Sequence, residues 1–224
     1  AMRADTFSAR AIALSCAAAI DMARATGAAA WTARAAFLTP IAKAFGTDVG
    51  CEVAQAGIQV HGGMGFIEET GAAQYARDVR VTPIYEGTNG IQAMDLTGRK
   101  MMDNGDAAFR LLAEVQAGAQ AARPAHPDLA HDVWQAAEAL GEATDALLAQ
   151  PLQDRFAGAV PYLRAFARVL GAHFHLASAV ADPSRLPLAR VAIKRQLPEY
   201  TGLLAQTKPG AADLFALSPA DLAA

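Results

Sequence analysis

Helical periodicity runs through nearly all of this chain, and it breaks only at short stretches rich in glycine or proline. The spacing predicts helices over 5–30, 33–60, 72–79, 90–102, 106–122, 128–149, 153–181 and 186–206. Residues 66–71 read as a loop, and a short tail carries Leu214, Phe215 and Leu217. The expected core face of the first helix is Phe7, Ala11, Leu14, Ala18 and Met22. That of the second is Phe37, Ile41, Ala44, Phe45, Val49, Val53, Ala56 and Val60. Pro40 is read as a first-turn residue or a bend, Pro161 as an early-turn residue, and Pro198 as an end or kink. Short connections between successive helices make an all-α helical bundle the expected fold. Asn104-Gly105-Asp106 is the first strong boundary, dividing residues 1–102 from an additional helical region over 103–224.

Composition agrees. Apolar residues make up 53% of the 224 positions, alanine dominates them, and only 7% are aromatic, which favours helix over sheet. A formal net charge of −3 argues against nucleic acid as a partner, since phosphate neutralisation needs a basic surface. Cys16 and Cys51 are too few and too far apart for a disulfide framework or a metal site, and they fit a reducing, cytoplasmic setting. No apolar run of membrane-spanning length free of charge is apparent, so no membrane span is expected. The start does not resemble a signal peptide, and Ala1 before Met2 reads as a remnant at the edge of an excised piece.

Two breaks carry the chemistry. One is Gln59-Val60-His61-Gly62-Gly63-Met64-Gly65-Phe66, where paired glycines end a helix and permit close backbone approach. The other is Pro83-Ile84-Tyr85-Glu86-Gly87-Thr88-Asn89-Gly90-Ile91-Gln92. It sets a carboxylate beside a glycine and a hydroxyl, just before a new helix that Thr88 or Asn89 can cap. A carboxylate on a turn is most often simply solvated, and Gln92 reads as a surface glutamine. His61 has no assigned role. His173 and His175 are two apart on a helix and point to different faces, so they make poor joint ligands.

Taken together, in this order and spacing, the two breaks resemble the C-terminal helical domain of FAD-dependent acyl-CoA dehydrogenases. The resemblance covers residues 1–102. It implies that Glu86, in Tyr85-Glu86-Gly87-Thr88, removes the α-proton of an acyl-CoA while a hydride leaves the β-carbon for the flavin, giving a trans-2-enoyl-CoA. Dehydration between flavin and acyl chain would raise the base's pKa toward that task. By the same resemblance Gly87 lies next to the substrate, and the Glu86 amide bonds the thioester carbonyl. Thr88, Asn89 and Gly90 match positions near the FAD diphosphate. Many members carry a glutamine where this chain has Gly90, which offers backbone only. Gln59, Gly62 and Gly63 match a Gln-x-x-Gly-Gly signature that contacts the FAD held mainly by a partner subunit, which implies a homo-oligomer. An electron-transfer flavoprotein is the implied acceptor. The region over 103–224 resembles the extension of a longer bacterial subgroup, the methylthiopropionyl-CoA dehydrogenase-like proteins. The N-terminal helical domain, the middle β-barrel and the Arg-x-x-Phe-Gly segment of the family are not in the chain. It is therefore expected to be the C-terminal part of a longer dehydrogenase, inactive alone. A non-catalytic flavoprotein, an oligomerisation module and an acyl-CoA oxidase are the competing readings.

Overall fold

The computed structural model describes residues 1–222, and among them there is no strand. The first half comprises α1 (Met2–Thr26), α2 (Ala29–Val60), the short α3 (Gly63–Phe66), α4 (Ala72–Val79) and α5 (Asn89–Thr97). The second half comprises α6 (Asp106–Ala122), α7 (Pro127–Leu148), α8 (Leu152–Ala157), α9 (Ala159–Ala181), α10 (Leu186–Val191) and α11 (Glu199–Ala205), then two short helices in the tail. The bundle is therefore all-α, as the periodicity requires.

α9 is the central element. It packs against α1, α2 and α5 from the first half and against α6, α7, α10 and α11 from the second. Tyr162, Phe166, Ala165, Ala167 and Val169 are buried on several sides of it, the pattern of a helix enclosed all round. Phe166 meets Phe37 of α2 edge-on at 5.0 Å between ring centroids. The Tyr162 hydroxyl bonds the Thr144 hydroxyl at 2.7 Å with both residues fully buried, so neither leaves a polar atom orphaned. One apolar cluster thus runs from Ile12 to Leu204.

Charges lock the same helix. The Arg168 guanidinium, 8% exposed, donates to Asp5 on α1 and to Glu199 on α11, each at 2.6 Å. One turn earlier Arg164 donates to Glu52 on α2 at 2.5 Å and to Glu199 at 2.7 Å. The second Asp5 oxygen accepts from the Gln196 carboxamide at 2.6 Å. His175 donates through Nε2 to the Ala4 carbonyl at 3.1 Å.

These partners correct the expected face of α1. Asp5, Ser8, Ile12, Cys16 and Ala19 are buried, whereas Leu14 (66% exposed), Ala18 and Met22 face out. Arg168 draws Asp5 inward, and Gly171 makes room for Ser8, whose Oγ would lie 2.6 Å from a Cβ there. In α2 the expected stripe holds from Phe37 to Val49, but Val60 is 76% exposed because the last turns run out beyond α9. Pro40 is twelve residues into α2, not in its first turn, and the helix continues through it.

Three further differences are local. Within residues 66–71, expected as loop, a 3₁₀ turn spans Glu68–Thr70, and α3 precedes it over Gly63–Phe66. The expected helix over 153–181 is divided at Gly158, where a Cβ would press on Thr207 at 3.0 Å. The expected helix over 186–206 widens into a π turn at Ala192–Gln196, in which the Leu197 amide donates to the Ala192 carbonyl at 2.9 Å, before Pro198 breaks it. By length and composition α1 is also apolar enough to cross a membrane, which the sequence reading did not anticipate. In the fold it is a packed helix with a buried carboxylate on its inner face.

Candidate active site

The turn that carries Glu86 is built by its own backbone. Val79 and Val81 carbonyls accept from Thr82, Ile84 and Tyr85, Pro83 is buried beneath, and the Pro83 carbonyl accepts from the Asn89 amide at 3.2 Å. The chain then reverses through two successive left-handed residues, Glu86 at φ 56° and Gly87 at φ 80°. For Gly87 that conformation costs nothing, but for Glu86 it is strained. A Cβ at 87 would also stand 2.9 Å from the Gln92 carboxamide nitrogen, which would have to shift. Thr88 caps α5, its hydroxyl oxygen accepting from the Ile91 amide.

Glu86, Gly87, Thr88 and Gly90 are all exposed. Among the described residues the amides of Glu86, Gly87 and Thr88 find no acceptor. Three successive exposed residues thus offer a carboxylate, three N–H groups without an acceptor and a hydroxyl. Such groups can take up a proton and hold a carbonyl or phosphate oxygen.

The Asn89 side chain is turned toward α2. Its carboxamide nitrogen donates to Asp48 at 2.7 Å, with Thr47 and the Ala44 carbonyl within reach, and its oxygen accepts from Lys43 at 2.8 Å. With its amide spent on Pro83 as well, Asn89 anchors the turn to α2 and keeps no donor for a cofactor. Burial raises the Asp48 carboxyl above its ordinary pKa, against the pull of the Asn89 bond and of Arg164. Gln92 differs from expectation. It turns back to donate to the Glu86 carbonyl at 3.2 Å rather than standing free on the surface. The sequence signal that could have found it is its place one turn into a helix that starts at the turn.

The second break ends α2 at Val60, with His61 Nδ1 donating to the Gly57 carbonyl at 2.8 Å. Gln59, Gly62 and Gly63 are exposed, and a Cβ added at either glycine would meet nothing within 4 Å. Their backbone lies open. Gly65 is the reverse case, since a Cβ there would fall 2.2 Å from the Ile58 carbonyl oxygen. The sequence reading gave Gly65 no task, yet it is the glycine that lets α3 fold back onto α2. Thirteen residues of α2 separate Thr47, which touches Asn89, from Val60, about 20 Å of helix. The two glycine-bearing patches are therefore well apart on one chain.

A mostly apolar cavity of about 620 Å³ lies between α1, α2 and α4, lined among others by Arg10, Gly50, Val53, His61, Tyr75 and Val79. Glu86 is not among its lining residues, so the carboxylate and this cavity are separate features.

Residues 1–102 match the family described as acyl-CoA dehydrogenase, C-terminal domain, and residues 111–218 match acetyl-CoA dehydrogenase C-terminal like. The chain is 42% identical over 172 residues to 3-methylmercaptopropionyl-CoA dehydrogenase of Ruegeria pomeroyi, covering 72% of this chain and 29% of that protein. It is 44% identical over 77 residues to a butyryl-CoA dehydrogenase of Syntrophomonas wolfei, covering 34% and 13% respectively. The chain thus spans less than a third of either relative. Its fold is shared with Caenorhabditis elegans ACDH-11 in complex with C11-CoA (TM-score 0.74, 17% identity, 95% of this chain and 38% of that one). It is also shared with an acyl-CoA dehydrogenase complexed with FAD from Bacillus anthracis (TM-score 0.65, 16% identity, 98% and 42%). Matched in both its halves, the chain belongs to the acyl-CoA dehydrogenase family as a C-terminal portion.

Proposed function

We propose that this chain is the C-terminal part of an FAD-dependent enzyme that oxidises an acyl-CoA thioester to its trans-2-enoyl-CoA. The observation that carries the reading is the Glu86 turn. A carboxylate is held on an open face by a left-handed backbone, beside three amides without acceptors. In this reading the Glu86 carboxylate takes the α-proton, and an amide of the turn receives the thioester carbonyl as negative charge develops on it. Bound FAD would supply the acceptor for the hydride that leaves the β-carbon.

The residues present suit that cofactor. Thr88 accepts from its own helix yet keeps a hydroxyl hydrogen to donate, and the start of α5 is favourable for a diphosphate. Gly62, Gly63 and Gly90 present backbone with no side chain in the way. The Thr88–Gly90 patch and the Gln59–Gly63 patch are too far apart to serve one diphosphate. That separation supports a homo-oligomer in which each copy contributes to two cofactors. The acyl-CoA and FAD named for the solved relatives support the same substrate class and cofactor here. An electron-transfer flavoprotein would reoxidise the flavin.

The test is Glu86→Gln in the FAD-loaded enzyme that contains this chain, mixed anaerobically with acyl-CoA. Flavin should stay bound with its visible spectrum intact, while its reduction slows by about 10³-fold or more. Reduction at the parent rate would remove Glu86 as the base.

A further inference from the structure

We propose that Lys43, with Gln92 as its counterpart, is a positioning residue that aims the amides of the Glu86 turn. The proposal rests on the reading of Glu86 as the base, and it adds a residue from α2 to the reaction's machinery. In a trans peptide the C=O and the N–H that follows it point in opposite directions, so fixing one fixes the other. The Glu86 carbonyl accepts from Gln92 on α5 at 3.2 Å, and the Gly87 carbonyl accepts from Lys43 Nζ on α2 at 2.7 Å. Both carbonyls are thereby drawn toward the helices that carry the turn. The N–H groups in those same peptide planes belong to Gly87 and Thr88, and both are without an acceptor among the described residues. Holding the carbonyls from behind turns these donors outward, on the side where the Glu86 carboxylate is exposed.

Lys43 does this with a charged donor, which makes the stronger kind of hydrogen bond. It bonds the Gly87 carbonyl and the Asn89 carboxamide oxygen together, and Asn89 is itself held by Asp48. Lys43 therefore ties the reversal of the chain and the first residue of α5 to one point on α2. The left-handed conformation of Glu86, which a non-glycine residue does not adopt by preference, needs such a hold.

The experiment has two arms. In the first, ¹⁵N and ¹³C NMR spectra of the 224-residue chain are compared for the parent, Lys43→Met, Lys43→Arg and Gln92→Met. Lys43→Met should erase the positive-φ shift signature of Glu86 and Gly87 and speed amide exchange at Asn89, leaving α7 and α9 unchanged. Lys43→Arg should restore part of it, and Gln92→Met should disturb Gly87 more than Asn89. Turn signals unchanged in Lys43→Met would overturn the proposal without reference to any activity. In the second arm, the FAD-loaded enzyme containing this chain is assayed with acyl-CoA. Lys43→Met should lower kcat by about 10- to 100-fold with KM within about twofold, and Lys43→Arg should recover part of the loss. Glu86→Gln is run beside it. An inactive Glu86→Gln with an undiminished Lys43→Met defeats the role of Lys43 alone. A fully active Glu86→Gln defeats the base assignment, and with it the catalytic consequence proposed for Lys43.

Discussion

Around α9 and around the Glu86 turn, the chain treats polar groups in opposite ways. On α9 both arginines are answered inside the fold, and of its buried side-chain polar atoms His173 Nδ1 alone lacks a partner among the described residues. Arg168 has Asp5 on one side and Glu199 on the other, Arg164 has Glu52 and shares Glu199, and the Tyr162 hydroxyl meets that of Thr144. At the turn, internal bonding takes the carbonyls, Asn89 and the Thr88 hydroxyl oxygen, while the exposed Glu86 carboxylate and the amides of Glu86, Gly87 and Thr88 have no partner among the described residues. Both regions hold their backbone tightly. What separates them is whether the polar groups are spent, and that distinction marks one as structure and the other as working surface.

The contrast can be broken from either side. The largest effect is expected from Glu86→Gln, which should cost about 10³-fold in flavin reduction and leave the unfolding free energy of the chain within about 0.5 kcal/mol, as for an exposed site. Arg168→Met should do the opposite. It leaves Asp5 and Glu199 short of their shared partner and should lower stability by about 3 kcal/mol in urea unfolding. The same variant should flatten the acid limb of the stability profile. Burial alone would raise Glu199, but the Arg164 and Arg168 guanidiniums outweigh it and hold the carboxyl below its ordinary 4.5. A carboxyl depressed by folding contributes fully above about pH 4.5, and the contribution is lost as pH falls through its folded value. If the parent protein shows no loss of stability below pH 4.5, this account of the ion network is wrong.

Two glycines two residues apart divide the remaining predictions. Gly65→Ala must push against the Ile58 carbonyl and should cost about 2 kcal/mol, seen as a lower urea midpoint. Gly63→Ala meets nothing, so the fold should change by less than about 0.5 kcal/mol while FAD affinity in the assembled enzyme falls. The smallest effect is expected of Arg77→Met. Its pair with Glu68 is exposed on both sides, and the thermal unfolding midpoint should not move measurably.

Much of this was legible in the chain because helices announce themselves locally. The break at Gly62-Gly63 falls where α2 ends, Pro83 lies in the turn between α4 and α5, and Gly105 stands just before α6, although α5 itself stops at Thr97 rather than near residue 102; the two motifs lead to the family. The inner face of α1 was not legible. Its polar residues are buried by partners on α9, and Asp5 lies 163 positions from Arg168, beyond any periodicity. A carboxylate and a serine on a helix face read as solvent-facing until that partner is known. The inward set of the Asn89 and Gln92 side chains was not legible for a related reason. Sequence shows that a turn has donors, but not whether they point inward, and here both point back at their own scaffold. Glu86 was legible as a carboxylate beside glycine, whereas its left-handed backbone was not.

The widened turn at Ala192–Gln196 has a consequence in angles. A π turn carries one residue more than an α turn and takes it up locally, so the chain on either side keeps its phase and is spared a rotation of about 100°. Deleting one residue there would restore an ordinary helix with the flanking faces unmoved, whereas deleting one elsewhere before Glu199 would swing all that follows by that amount. In the second case Glu199 would leave the two arginines. The segment works like the vernier of a goniometer, and changes in chain length between Leu186 and Glu199 should be tolerated only in steps that bring the dial back to its present setting.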